Sequence, residues 1–493
     1  MTKVYFIFLS CLILVTLPLF AQEPAQPVRL ELDLDSNNAT VEVIALPDSS
    51  LLLFTRLSNT WSSKTSFEFT KYDHQLKKVW STKQELDERD EYINYTVESP
   101  YVYLAFDGEG TKQYHILKLH LRTGEVAFTT YEIPAVDALY EFRALKEQYF
   151  IIGNDRKEFR PYFFHLTPKE RKASPLPSVY GTESYFSDLL ADSAHDRIDA
   201  VLLESNGRVS HLQTKSFNSS GKLIGTYFTP PMRDKMLQHA EVSTGDSTVK
   251  LLVGAYGIKS VYNSTGLFTM PLLNNESEGN FYSFLDLKNS LSHLNQRQEK
   301  RIRKKEQNRI EKRKLPNLRH RLLLHDLIPT PEGYILAAEV YTSQFDNSKN
   351  DRILLPDLGF AGKDEIYKHT QVLVVAFDKA GELLWDNNFK LNSIVTNDLV
   401  PTVEVAAAPD GRVIIAYPDD KEIVYRIMDR GTYTDEKTKL KLETAQESDK
   451  IIGVNENGII KWYGSNFAAF GFQRVRPAKG EGRSVFYINK ITF

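Results

Sequence analysis

Eight short apolar runs recur along the chain at a nearly constant interval, and that interval constrains the fold more than any other feature. They occupy residues 51–54, 102–106, 150–152, 200–203, 251–255, 334–338, 413–417 and 467–471. Their starts are 51, 48, 50, 51, 83, 79 and 54 residues apart, so five gaps are close to fifty and two carry an insertion. A fixed period of this size marks a repeat architecture in which each unit is one supersecondary element. The runs are apolar at consecutive positions, as in LLLF, AVLL and VIIAY. A strand wet on one side would alternate, whereas a strand covered on both faces need not.

Each run has strand-like neighbours in a similar order. Around the sixth run, residues 322–328 precede it and 371–377 and 382–387 follow, the last two joined by the turn 378–381 (DKAG). Residues 73–77 and 218–222 are turns at the same place in the first and fourth units. Four strands per fifty residues predicts an all-β fold, a β-propeller of eight four-stranded blades, with seven as the alternative count. The third unit is the least regular, because 169–177 makes a poor outer strand. The last unit has only three strands of its own, and the alternating segment 28–35 (VRLELDLD) stands ahead of the first unit. That segment can complete the last blade and close the ring. An outer-membrane barrel is the competing reading, suited by the terminal Phe493. It would need strands of alternating polarity, which the doubly apolar runs are not.

The closing residues, GFQRV at 471–475 and RSVFYINKITF at 483–493, resemble the C-terminal end of secreted β-propeller proteins with divergent blades. The resemblance implies this fold and no activity. Trp80 and Trp385, at matching places in units one and six, weakly resemble the docking tryptophans of quinone dehydrogenase propellers, without their glycine-rich motif.

Ahead of the repeats, Lys3 and the apolar run 4–20 read as a secretory signal peptide, residues 1–21, with the small residue Ala21 at the cut. The expected location is therefore extracellular or periplasmic. Residues 22–493 would form one propeller domain, with no transmembrane segment left after cleavage. An uncleaved anchor is the alternative, since the run is near the minimum length for a span. The single cysteine, Cys11, lies inside this segment, so the mature chain has neither disulfides nor thiolate chemistry.

Two insertions explain the two long gaps. Residues 288–315 contain no glycine or proline and are rich in helix formers, which predicts a helix capped by Asn289 or Ser290. From Arg297 to Arg321 the local charge is +9, leaving −12 on the rest of a chain whose total is −3. Leu287, Leu291 and Leu294 would form an apolar stripe at the start of this helix. The second insertion, 342–370, is a long loop within unit six. In an up-and-down blade both insertions rise from the same face of the ring. Together they would form a clamp of Arg301, Lys304, Lys305, Arg309 and Arg313 from the helix with Asp346, Asp351, Arg352 and Tyr367 from the loop. An exposed basic arm suits an acidic glycan, an anionic lipid headgroup or an acidic protein surface. Nucleic acid is disfavoured by the absence of base-reading or aromatic residues on the helix.

No P-loop, zinc-protease helix, nucleophile elbow or dinucleotide fingerprint is present, and no cofactor is expected. The eleven histidines are scattered; His320 and His325 would point to opposite faces of a strand, so no metal site is expected there. The residues 346–351 (DNSKND) lack the glycine and terminal glutamate of a calcium loop. The leading reading is a non-catalytic binding or scaffold propeller of the cell envelope or extracellular space. The alternatives are a glycan-active hydrolase or lyase with carboxylates at the channel mouth, and a subunit of an envelope assembly docked through the apolar stripe.

Overall fold

The computed structural model describes residues 24–493 except 58–63, 88, 109–110, 155–159, 178–183, 207, 233, 246–247, 274–278, 344–365 and 433–437. Local chemistry sets the hairpins. In the turn after strand Tyr367–Asp378, the Asp378 carboxylate accepts from the amides of Ala380 and Glu382, both at 2.8 Å, and Gly381 takes φ +85°. Asp73 and Asn218 make the same side-chain-closed turn at the equivalent hairpins. Short polar side chains that bond their own backbone favour this geometry, and it recurs between the third and fourth strands.

Repetition of such hairpins gives eight antiparallel blades, each of four strands running from the axis outward. Blade 1 comprises Ala39–Ala45, Leu51–Leu57, Lys64–Tyr72 and Lys78–Asp87. In blade 6 the first strand is broken into Arg321–Leu324 and Ile328–Pro329. Every one of the eight apolar runs lies in the second strand of a blade, from Leu51–Leu57 in blade 1 to Asn466–Arg476 in blade 8. The reason is geometric. The second strand is covered by a neighbouring blade on each face, so both faces are dry.

The core is accordingly eight layers, one between each pair of blades. Phe54, Phe67, Phe69 and Leu104 fill the layer between blades 1 and 2, and Val43, Leu53, Trp462 and Ile488 the layer between blades 8 and 1. Blades also latch through their turns. Trp80 lies against Gly124 in the hairpin of blade 2, and Trp385 lies against Gly431 at the same place in blade 7. Trp80 Nε1 donates to Leu121 O at 3.2 Å.

The ring closes as its sequence predicts. Strand Ala25–Leu32 pairs antiparallel with Arg483–Thr492 and becomes the outermost strand of blade 8. Arg29 is the clasp. Its guanidinium donates to Glu31 (2.8 Å), Asn489 Oδ1 (2.7 Å), Gln473 Oε1 (2.8 Å) and Glu443 O (2.9 Å), and its plane lies over the Tyr487 ring. A second, deeper polar cluster ties blades 4 and 5. Asp199, fully buried, holds Arg197 at 2.7 Å and Lys250 at 2.7 Å.

The first insertion folds differently from its sequence reading. Helix α1 spans Gln296–Glu311 and starts at the Asn295 cap, not at Asn289 or Ser290. Leu287 is buried among the apolar residues of blades 5 and 6, Leu291 is buried too, and Asp386 fixes the amides of Lys288 and Asn289 at 2.9 and 2.6 Å. The leucines serve the core ahead of the helix. They leave no exposed apolar stripe for docking to an assembly. In the second insertion, the flanking strands Gly333–Ser343 and Tyr367–Asp378 extend into 342–370 from both sides, and 344–365 lies outside the described residues. Among the described residues, no helix is long and apolar enough to cross a membrane.

Candidate functional site in the central channel

The first strands of neighbouring blades touch around the axis and line the channel. In five consecutive blades this strand carries one residue more than its partner. The extra residue is Ile93 in blade 2, Tyr140 in blade 3, Ser187 in blade 4, one of Gln238 and His239 in blade 5, and one of 325–327 in blade 6. A bulge bends the strand and re-aims the side chains beside it. Beside these bulges stand Asn94, Glu141, Asp188, Glu241 and Asp326. Glu42, Tyr95, Glu404 and Lys461 come from the first strands of blades 1, 2, 7 and 8. Every blade thus supplies a polar side chain, and six of the eight supply a carboxylate.

These carboxylates act on one another. Burial, and after it the charges of Asp188 and Asp326, push Glu241 well above the usual carboxylate range. Burial, with the charge of Asp326, also raises Asp188 to about 7, although the Val242 amide donates to it at 2.9 Å. Burial raises Glu404 to about 7 against the opposing pull of the Lys461 amide and His325. Burial lifts Glu42 and Glu141 as well, and Tyr95 rises to about 12 through burial and the charges of Glu42 and Glu404. Two fixed cations answer them. Arg143 bonds Glu141, which also accepts from Asn94 at 2.6 Å, and Lys461 faces Glu404. Glu241 is nine-tenths buried, and its carboxyl has no hydrogen-bond partner among the described residues. Asn94 Oδ1 is buried without a partner.

Behind the channel wall, His325 is held by a built support. Glu339, on the second strand of blade 6, is fully buried. It accepts from Thr402 N (2.7 Å), Val403 N (3.0 Å) and Thr402 Oγ1 (2.7 Å), and His325 Nε2 stands 3.0 Å from it. His369 Nδ1 lies 2.6 Å from the other oxygen. Burial alone would raise this carboxyl; the bonds from His325, His369 and Thr402 outweigh it and hold Glu339 far below the usual range. The Glu339 anion therefore holds the His325 ring through Nε2, and the charge of His325 in turn acts on Glu404. His320 takes no part. It is half-buried against Phe284 in a bridge to Ser264, and desolvation lowers it to about 4. Among the described residues no group of three acids or histidines is arranged to hold a metal ion.

The residues singled out from sequence fall elsewhere. Arg301, Lys304, Lys305 and Arg313 are exposed on or just beyond α1; Arg309 is half-buried, its Nε donating to Leu315 O at 2.8 Å. Asp346, Asp351 and Arg352 lie outside the described residues. Tyr367 opens the third strand of blade 6, where its ring packs on Tyr341 and is 1% exposed, so it is a core residue. The channel residues left almost no trace in the sequence. Asn94, Glu141, Asp188, Glu241 and Asp326 stand at or near a bulge that interrupts the strand's alternation, while Glu42 and Glu404 are single acids in short regular strands.

No family model and no curated protein matches the chain. Among solved structures it is similar to the polysaccharide lyase Uly1, at 9% identity and TM-score 0.38, over 81% of this chain and 89% of that one. It is also similar to a variant of the Synechocystis apocarotenoid oxygenase, at 9% identity and TM-score 0.32, over 47% of this chain and 57% of that one. At this level neither likeness carries functional information, and what the chain itself shows is an eight-bladed β-propeller with an acidic channel.

Proposed function

We propose that the protein is a binding propeller of the cell envelope or extracellular space whose ligand enters the central channel and presents a cationic group to its carboxylates. The carrying observation is Glu241, a nine-tenths-buried acid without a partner among six channel carboxylates and two fixed cations. Like charges at close quarters oppose one another's ionisation, and an ammonium or guanidinium among them relieves that repulsion. The apolar segment 4–20 supports the extracytoplasmic location.

Calorimetric titration with diamines, spermidine and arginine-containing dipeptides tests this reading. Binding at pH 7 should release protons, seen as a buffer-dependent heat, because the ligand drives partly protonated carboxyls to ionise. Glu241→Gln should weaken binding at least tenfold. Absence of binding across the panel would refute the cationic ligand.

A second reading, acid–base chemistry on a glycan held in the channel, is favoured by His325 on its buried Glu339 support, facing Glu404. It predicts new reducing ends or unsaturated products from a glycan panel, lost in His325→Gln while the fold is retained.

A further inference from the structure

Helix α1 sorts its charges by face. Its inward face carries Glu299, Arg303 and Glu306. Arg303 donates to the carbonyls of Leu285 (2.9 Å), Leu287 (3.1 Å) and Lys288 (2.8 Å) and to Glu299 Oε1 at 2.8 Å. Glu306, 2% exposed, accepts from the amides of Asn317 (2.7 Å) and Leu318 (3.2 Å). The Asn295–Gln298 capping box secures the start. Two of the three acids in the stretch are thereby spent on holding the helix to the ring.

The outward face is left basic apart from Glu311, exposed at the helix's last position. Arg297, Arg301, Lys304, Lys305 and Lys312 are exposed at spacings of three, four and seven, with Lys300 beside them. Among the described residues none of them pairs with a carboxylate. A helix built only for solubility intersperses acids and bases on its wet side, where each i,i+4 pair contributes a few tenths of a kcal/mol. Here that arrangement is forgone, and like charges stand adjacent along about 22 Å of a helix that is docked by its other side.

We propose that this outward face binds an acidic polysaccharide strand. A row of cations on a rigid rod matches regularly spaced carboxylates or sulfates on an extended chain. The choice of ligand follows from the rest of the molecule. A linear chain touches the stripe alone, whereas an anionic bilayer would also meet a body carrying −12. The stripe has no aromatic side chain on which a base could stack, which disfavours single-stranded nucleic acid. The site is separate from the channel, and its occupancy does not depend on the channel ligand.

The test uses the whole mature chain and a triple variant, Arg301→Glu, Lys304→Glu and Lys305→Glu, which leaves the docking residues Arg303 and Glu306 untouched. Polygalacturonate, heparin, a single-stranded oligonucleotide and vesicles containing phosphatidylglycerol are the probes, at about 50 and 300 mM salt. Binding to polygalacturonate or heparin should weaken at least tenfold at the higher salt and at least tenfold in the variant, with unchanged thermal unfolding. No polysaccharide binding, binding indifferent to the variant, or tighter binding to vesicles or oligonucleotide would each overturn the proposal. Calorimetry with the channel ligands is unaffected by any of these results.

Discussion

Glu339 shows how a single buried charge can be held by its surroundings. Its carboxyl is held below the ordinary range by bonds that exist only in the folded ring. That stability is fully present above the unfolded carboxylate value, near 4, and is lost as pH falls from there toward the folded value. Replacing Glu339 by alanine should cost about 3–5 kcal/mol in urea unfolding at pH 7, since two histidines and two amides lose their acceptor. The channel acids have the opposite sign. Asp188 and Glu404 titrate near 7 in the folded protein, so the folded state binds the extra protons and their penalty grows as pH rises from about 4 to 7. Glu404→Gln should therefore raise stability at pH 8 by roughly 1–2 kcal/mol, less than the full linkage value because the channel admits water, and leave it unchanged at pH 4. Equal effects at both pH values would contradict the assignment.

At the scale of elements, legibility in the sequence follows from how many faces of a strand are dry. The second strands, covered on both sides, stood out as runs such as LLVGA at 251–255 and VIIAY at 413–417. The closing strand was legible because VRLELDLD alternates without interruption. The short outer strand Lys172–Pro175 was legible as a weakness in the third unit. The first strands were not. They face a polar channel on one edge, and extra residues in six of them break the period of two, as at Glu141 and Asp188. Helix α1 was visible as composition, yet its start was misplaced, because Leu287 and Leu291 are good helix formers that are buried ahead of the helix. The docking of α1 gives a test at this scale. Arg303→Ala removes three bonds to the chain ahead of the helix and one within it, to Glu299. Amide exchange across 296–311 should speed up more than tenfold while blade amides remain protected.

For the whole molecule, stability is spread over eight similar layers, and the clasp decides whether they form a ring or an open arc. Arg29→Ala should cost about 2–4 kcal/mol, because Glu31, Asn489 and Gln473 lose a buried donor together. Deleting 24–32 should do more. It bares the edge of strand Arg483–Thr492, and light scattering should then report oligomers formed by edge pairing. A monomeric deletion variant with wild-type unfolding would show that the clasp is dispensable.

The clasp also has a consequence in time. Residue 28 pairs with residue 490, so the first strand to be synthesised has no place to go until the last one exists. Throughout translation the amino-terminal segment must remain unpaired beside seven blades that can already stack. Such a contact has the greatest loop-closure cost the chain can offer. Ring closure is then the last event in forming the ring, and a ribosome stalled before the last hairpin would hold seven blades and an open arc.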